Sequence, residues 1–258
     1  MPRTKPRALI EVTYTAAAQD YLRSLPPEHF MEATAQATQR KITLESLDLV
    51  CVRRPDVHVF NELLVQYPRR GERRPGQVVP DNMVVISDKP IEADGSFDLP
   101  LQPAKPFWVL EYVSRHNKRK DYNDNFDKYE KELKVPYFLL FYPDDQELTL
   151  YHYSGKKYSA ILPNEQDRLP IPELELELAL YQRWVRFWFR GELLPLPGDL
   201  QRELDETRQR LLDERRRVED LQQTIDRERQ ARLAAERELE QLKSQLRATP
   251  NGRRTKDR

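Results

Sequence analysis

Apolar and polar residues change their spacing several times along this chain, and each change predicts a different element. Thr15 to Leu25 can form a short helix closed by Pro26 and Pro27, and an alanine-rich stretch from Glu28 to about Lys41 predicts a second. Two β-like runs follow, Asp56 to Phe60 and Leu63 to Tyr67, separated only by Asn61 and Glu62, which suits a tight hairpin. Met83 to Ile86 and Phe107 to Leu110 are short apolar runs of the kind found in buried strands. The proline-rich segment between them, Asp88 to Pro106, reads as a surface connection. From Lys120 to Leu133 the pattern turns helical: Asp121, Asn125 and Tyr129 recur every four residues, with Tyr122 and Phe126 on an adjoining face. Pro136 ends that helix, and the wholly apolar run Tyr137 to Tyr142 predicts a central strand. Residues 148–153 and 157–162 then form a hairpin about Ser154-Gly155, and 172–195 closes the domain as a helix with Leu180, Trp184, Phe187 and Trp188 along one side.

Beyond Leu200 the period becomes strictly seven. Leu204, Leu211, Val218, Ile225, Leu239 and Leu246 form one file, interrupted by Arg232, and Leu221, Ala235 and Leu242 lie on the companion file with Thr207, Glu214 and Glu228. Residues 198–247 are therefore expected to be a coiled coil that joins two copies as a homodimer. The organisation that follows is a flexible arm at 1–14, an α/β domain at 15–195, the coiled coil, and a polar, basic, disordered tail at 248–258.

Composition narrows the classes. With 258 residues and 38% hydrophobic content, the chain can bury one core of roughly 150 to 200 residues. Lysine plus arginine equals aspartate plus glutamate at 43 each, so no global field draws the chain to nucleic acid and any basic surface must be local. The densest basic cluster is the loop 68–77 with Arg69, Arg70, Arg73 and Arg74, readable as a solvated loop or as a set of phosphate contacts. The single cysteine, Cys51, sits in the apolar context LVCV as a reduced core thiol and excludes an internal disulfide or a cysteine zinc site. No apolar run approaches the length of a membrane span, and a soluble, cytoplasmic protein is expected.

The candidate chemistry sits at the ends of two predicted strands. Asp81 leads into Met83 to Ile86, and Glu111 closes the run that starts at Phe107. Phosphodiester hydrolysis needs a cation to hold water and offset developing charge, and carboxylates on adjacent strand ends, with the main-chain carbonyl of Tyr112, can hold one. A lysine commonly completes such a site, yet the strand position two after Glu111 is Val113. Each acid also has a plainer reading: Asp81 as a turn former after Pro80, Glu111 as the partner of Arg115 or Lys120. His116 has no acid at fixed spacing, and His58 and His152 read as strand-face residues. Lys118 and Lys120 can contact phosphate or simply be solvated.

The succession VVPDNMVV, WVLEYVS, the later aspartate and K-Y pair, and KVPYFLLFYPDDQELTLY resembles the Uma-two family of restriction-endonuclease-type proteins, within the PD-(D/E)xK nuclease superfamily, over residues 40 to 192. That resemblance implies an α/β fold, a mixed sheet flanked by helices. It also implies a magnesium or manganese ion on Asp81 and Glu111, and a lysine moved from the strand to the following helix. Ser114, Asp121 and Tyr129 match family positions, Ser114 and Asp121 being equally natural as helix-capping and first-turn residues. The migrated lysine falls on Asn125; Lys128, about one turn away, is the candidate substitute. The implied activity is metal-dependent DNA hydrolysis. The alternative is a nuclease-derived DNA-binding or assembly module joined through its coiled coil, and pure scaffolding by the coiled coil is a third reading.

Overall fold

The computed structural model describes residues 6–25, 34–69, 71–113 and 120–248, the side chains of 120–123 and 245–248 excepted. The chain divides into two units, Met1–Pro197 and Gly198–Arg258.

Within the first unit, helix α1 spans Arg7–Ser24 and α2 Thr34–Arg53. Residues 7–14, expected as a loose arm, are thus helical; Tyr14 is buried, and the side chain of Gln66 donates to the Tyr14 carbonyl. A six-stranded sheet follows in the order β1-β4-β6-β7-β8-β9, made of Val57–Asn61, Asn82–Ile86, Pro106–Tyr112, Tyr137–Tyr142, Glu147–Tyr153 and Tyr158–Ala160. β6 and β7 are parallel, and every other neighbouring pair is antiparallel. A parallel pair requires a crossover, which here carries α3, Lys120–Asp127, and a π-helical turn, Lys128–Leu133. The run YFLLFY is continuously apolar because β7 is covered on both faces.

One face of this sheet, with Val84, Trp108, Leu110 and Tyr112, packs on α2 and on a second, four-stranded sheet. The other, with Met83, Val85, Val109 and Phe138, packs under Tyr129 and Leu133 and beside a three-stranded sheet. The first unit therefore has the mixed α/β architecture expected, with two accessory sheets in addition. The described residues of the second unit lie in a single helix, α4, Pro197–Ala248.

Two predicted elements are corrected. The segment 172–195 is not a helix: it forms β11 (Leu176–Tyr181), β12 (Trp184–Phe189) and β13 (Glu192–Leu193), joined to β10 (Leu169–Ile171). Leu176 and Leu178 are buried while Glu177 between them is only partly so, a period of two. Gln182 and Arg183 both have positive φ, as do Arg190 and Gly191, so two-residue turns match the strand twist at each hairpin. Nor do the runs at 56–60 and 63–67 pair as a hairpin. β1 pairs with β4, whereas β2 (Val65–Tyr67) lies between β3 (Gly76–Val78) and β5 (Phe97–Asp98). Glu62, at φ 47°, turns the chain away, and Leu64 and Val65 are buried in the other layer. Part of the expected loop 68–77 and of the connection 88–106 thereby becomes strand.

Gly76 opens β3 directly against the buried ring of Tyr67, and a Cβ at this position would overlap that ring. Gly76→Ala should therefore lower stability by about 1–3 kcal/mol, the usual cost of forcing an extra carbon into a packed site, measurable by urea unfolding.

Candidate active site

Register brings the two acids together. β4 and β6 are antiparallel with Asn82 opposite Leu110, and one step further the same register sets Asp81 opposite Glu111, on one face of the sheet. Asp81 Oδ2 accepts the backbone N–H of Tyr112 at 2.6 Å, which ties the acid to the end of β6. Its Oδ1 accepts from Arg40 Nη2 at 2.8 Å, and Arg40 Nη1 reaches Glu62 at 2.7 Å. Glu111 Oε1 accepts the Tyr129 hydroxyl at 2.6 Å and, at 3.5 Å, the amide of Asn125.

The side chains that bond to the two acids come from three elements. Arg40 lies four residues after Gln36 on α2, so both face the same way; Gln36 Nε2 donates to the Tyr112 carbonyl at 2.5 Å. Thr43, a turn further on, shares a hydrogen bond with the Tyr112 hydroxyl, which in turn donates to Asn82. The chain between β6 and β7 supplies Asn125 from α3 and Tyr129 from the π-helical turn, a local widening often found at functional sites.

Burial is the largest influence on both carboxyls and lifts their pKa values above the ordinary carboxylate range. For Glu111 the neighbouring Asp81 charge adds to the rise, while the Tyr129 hydroxyl, Lys128 and Arg40 oppose it. The Tyr112 N–H and Arg40 oppose it for Asp81. Burial, then Glu111, pushes the Tyr129 phenol well up, so this hydroxyl is a fixed donor.

The donor types suit a hard divalent cation: two carboxylates and a main-chain carbonyl are all oxygen, the preference of magnesium and manganese. Two half-buried acids side by side, where the Asp81 charge makes Glu111 harder to ionise, are relieved by a shared positive ion. The Tyr112 carbonyl accepts from Gln36, and a carbonyl oxygen has a second lone pair. Among the described residues no group of three or more His, Cys, Asp or Glu side chains is placed to hold a metal, so this is a two-acid site.

Of the other sequence candidates, Asn125 and Tyr129 are at the site, and Lys128 acts on Glu111 through its charge. Arg69 is committed to Glu72 at 3.0 Å and Glu132 at 3.1 Å. Arg73 and Arg74 are exposed and line a recess with Ile10, Thr13 and Tyr14 of α1. Arg70, Ser114, His116 and Lys118, and the side chains of Lys120 and Asp121, lie outside the described residues. His58 contacts the Ser87 carbonyl and His152 packs on Tyr137, both away from the acids. Sequence reasoning missed Gln36, Arg40 and Glu62. The available signal was polar residues at 36, 39, 40 and 43 along a helix whose later turns bury Leu47 and Val50.

The first unit is thus a mixed α/β domain with two acids set together at adjacent strand ends. The chain belongs to the Uma2 family, described as "Putative restriction endonuclease", whose model matches residues 31–183. It is also similar to a solved structure described as a putative nuclease belonging to DUF820 from Anabaena variabilis ATCC 29413. The two share 17% identity over 61% of this chain and 89% of that one, with a TM-score of 0.45. Among curated proteins none matches. No helix among the described residues is long and apolar enough to cross a membrane.

The two raised carboxyls fix the sign of a pH effect. The folded state holds their protons more tightly than the unfolded chain, so the stabilisation is complete below the ordinary carboxylate pKa of about 4 and declines as pH rises through the raised values. Glu111→Gln should raise Tm in EDTA at pH 8 and change it little at pH 4, as followed by thermal unfolding.

Proposed function

We propose that this protein is a divalent-metal-dependent endonuclease that hydrolyses DNA phosphodiester bonds. The observation that carries the reading is the half-buried Asp81–Glu111 pair, set side by side by β4 and β6, with the charge of Lys128 on the crossover acting on Glu111. Asp81, Glu111 and the Tyr112 carbonyl would hold magnesium or manganese. Such an ion, when bound, neutralises charge on the phosphate and makes bound water a better nucleophile.

The remaining residues orient and balance this set. Tyr129 fixes one Glu111 oxygen, and the Tyr112 N–H and Arg40 fix both Asp81 oxygens, which keeps the acids in place before substrate arrives. Lys128 would supply the ammonium that orients the attacking water, the role that the amide of Asn125 cannot fill. Arg73 and Arg74 would contact DNA phosphates. The seam of α4 would join two copies of the chain.

One observation favours a second reading, a weakened nuclease-like module that binds DNA without turnover. Asn125 occupies the position of the lysine and points its amide at Glu111, so the site has one positive charge fewer than the family pattern implies.

Supercoiled plasmid with magnesium or manganese separates the two. Wild type should nick it, Asp81→Ala should lose at least about a hundredfold, and Lys128→Met should lose about 10²- to 10⁴-fold, as for loss of an acid–base group. Asn125→Lys should raise the rate. No metal-dependent nicking by wild type on several DNA substrates, with retained binding in a gel shift, would leave the module reading in place.

A further inference from the structure

The long helix α4 carries its apolar residues outward. Leu204, Leu211, Val218, Ile225 and Leu239 are 44–64% exposed, and so are Leu221 and Leu242 on the companion file. Seven-residue spacing is the pattern a second helix covers, because it keeps one seam facing a partner along the whole length. Three charged residues interrupt that seam: Glu214, Glu228 and Arg232. They decide which partner and which direction fit.

Two copies running parallel and in register would stack Glu214 on Glu214, Glu228 on Glu228 and Arg232 on Arg232, three like-charge layers in the seam. Like charges brought face to face are destabilising, the more so as they leave water. Two copies running antiparallel about Gln223 give a different set. Leu204 then meets Leu242, Thr207 meets Leu239, Leu211 meets Ala235, and Leu221 meets Ile225. Glu214 of each copy meets Arg232 of the other. Glu228 faces Val218, and no like-charge layer remains in the seam.

The flanking residues largely agree. In this register Arg208 lies opposite Glu236 and Arg210 opposite Glu238, against one unfavourable pairing of Arg215 with Arg229, each of the three occurring twice by symmetry. Arg232 donates Nε to Glu236 of its own helix at 3.0 Å, and a guanidinium has five N–H donors, enough for a second carboxylate. Sliding one heptad either way sets Arg232 against Thr207 or Leu221 and shortens the overlap.

We propose that α4 pairs with a second copy of itself in antiparallel orientation, centred on Gln223, with Glu214 and Arg232 of the two copies forming the pair that selects direction and register. This rests on the reading of α4 as a homodimer seam and adds its polarity. The N-terminal ends of the two paired helices then lie about 78 Å apart, at the 1.5 Å rise per residue of a helix. An antiparallel rod thus separates those two ends, where a parallel one would set them side by side.

Full-length protein with Cys51→Ala tests the arrangement by cross-linking. The double variant Leu204→Cys, Leu242→Cys should form a covalent dimer under mild oxidation, while each single variant should not, because only antiparallel chains bring position 204 to position 242. Sedimentation equilibrium of cysteine-free protein should show Glu214→Arg and Arg232→Glu each weakening the dimer about tenfold. The double exchange should return it to within about threefold, as contacting charges do in a mutant cycle. A single variant that cross-links to itself, or a double exchange that restores nothing, overturns the antiparallel register while leaving the dimer. A chain that sediments as a monomer at tens of micromolar overturns the dimer itself.

Discussion

Two carboxylates are held side by side at the ends of β4 and β6, largely away from water, and the surrounding structure is arranged to make that tolerable. Burial alone favours their neutral forms, and proximity makes the second charge harder to form than the first. Against this stand a backbone N–H and Arg40 on Asp81, and the Tyr129 hydroxyl and the charge of Lys128 on Glu111. These groups offset the cost without removing it, since both pKa values remain raised. A site left with excess negative potential in a low-dielectric setting is suited to a cation, and that is the electrostatic basis for reading it as a metal-dependent centre.

Helix α2 links the core to this site. Its later turns bury Leu47 and Val50 against the main sheet, and Gln39 hydrogen-bonds both the N–H and the carbonyl of Val185 in β12. The same helix directs Gln36 and Arg40 to the strand ends and Thr43 to the hydroxyl of Tyr112. Packing of α2 between two sheets therefore sets the positions of the charged groups at its end. A shift of this helix would move Arg40 from Asp81 and Gln36 from Tyr112 together. On the opposite face, Tyr129 is at once a fully buried core residue and the donor to Glu111, so the cover over the sheet and the orientation of the acid depend on one side chain.

Misread elements have identifiable causes. In 172–195, Leu180, Trp184, Phe187 and Trp188 satisfy a helical spacing, but the alternation of Leu176, Glu177 and Leu178 and the two turns with paired positive φ belong to a hairpin sheet. Local periodicity admitted both; burial of Val185, Phe187 and Phe189 on the shared core selected the sheet. The runs at 56–60 and 63–67 are both extended, as expected, yet they belong to different layers. A two-residue spacer permits a hairpin without requiring one, and β1 instead found β4. Arg7–Ser24 lacks a strong apolar face, and two glutamines from β2 and β3, Gln66 and Gln77, donate to carbonyls of this helix.

What the residues determined by themselves were the apolar strands around Asp81 and Glu111, the central strand at 137–142, the hairpin at 148–162 and the heptad helix. In each case burial or pairing repeats at a period that neighbouring residues reveal. The order and spacing of those pieces also sufficed for the family resemblance. Only the tertiary structure decided that Arg40, Gln36 and Glu62 join the acids, that Arg69 is paired with Glu72 and Glu132, and that Asn125 addresses Glu111. These contacts span 3 to 76 residues of sequence, and the longest arise from how a helix is set against a strand end, a relation that no local pattern encodes.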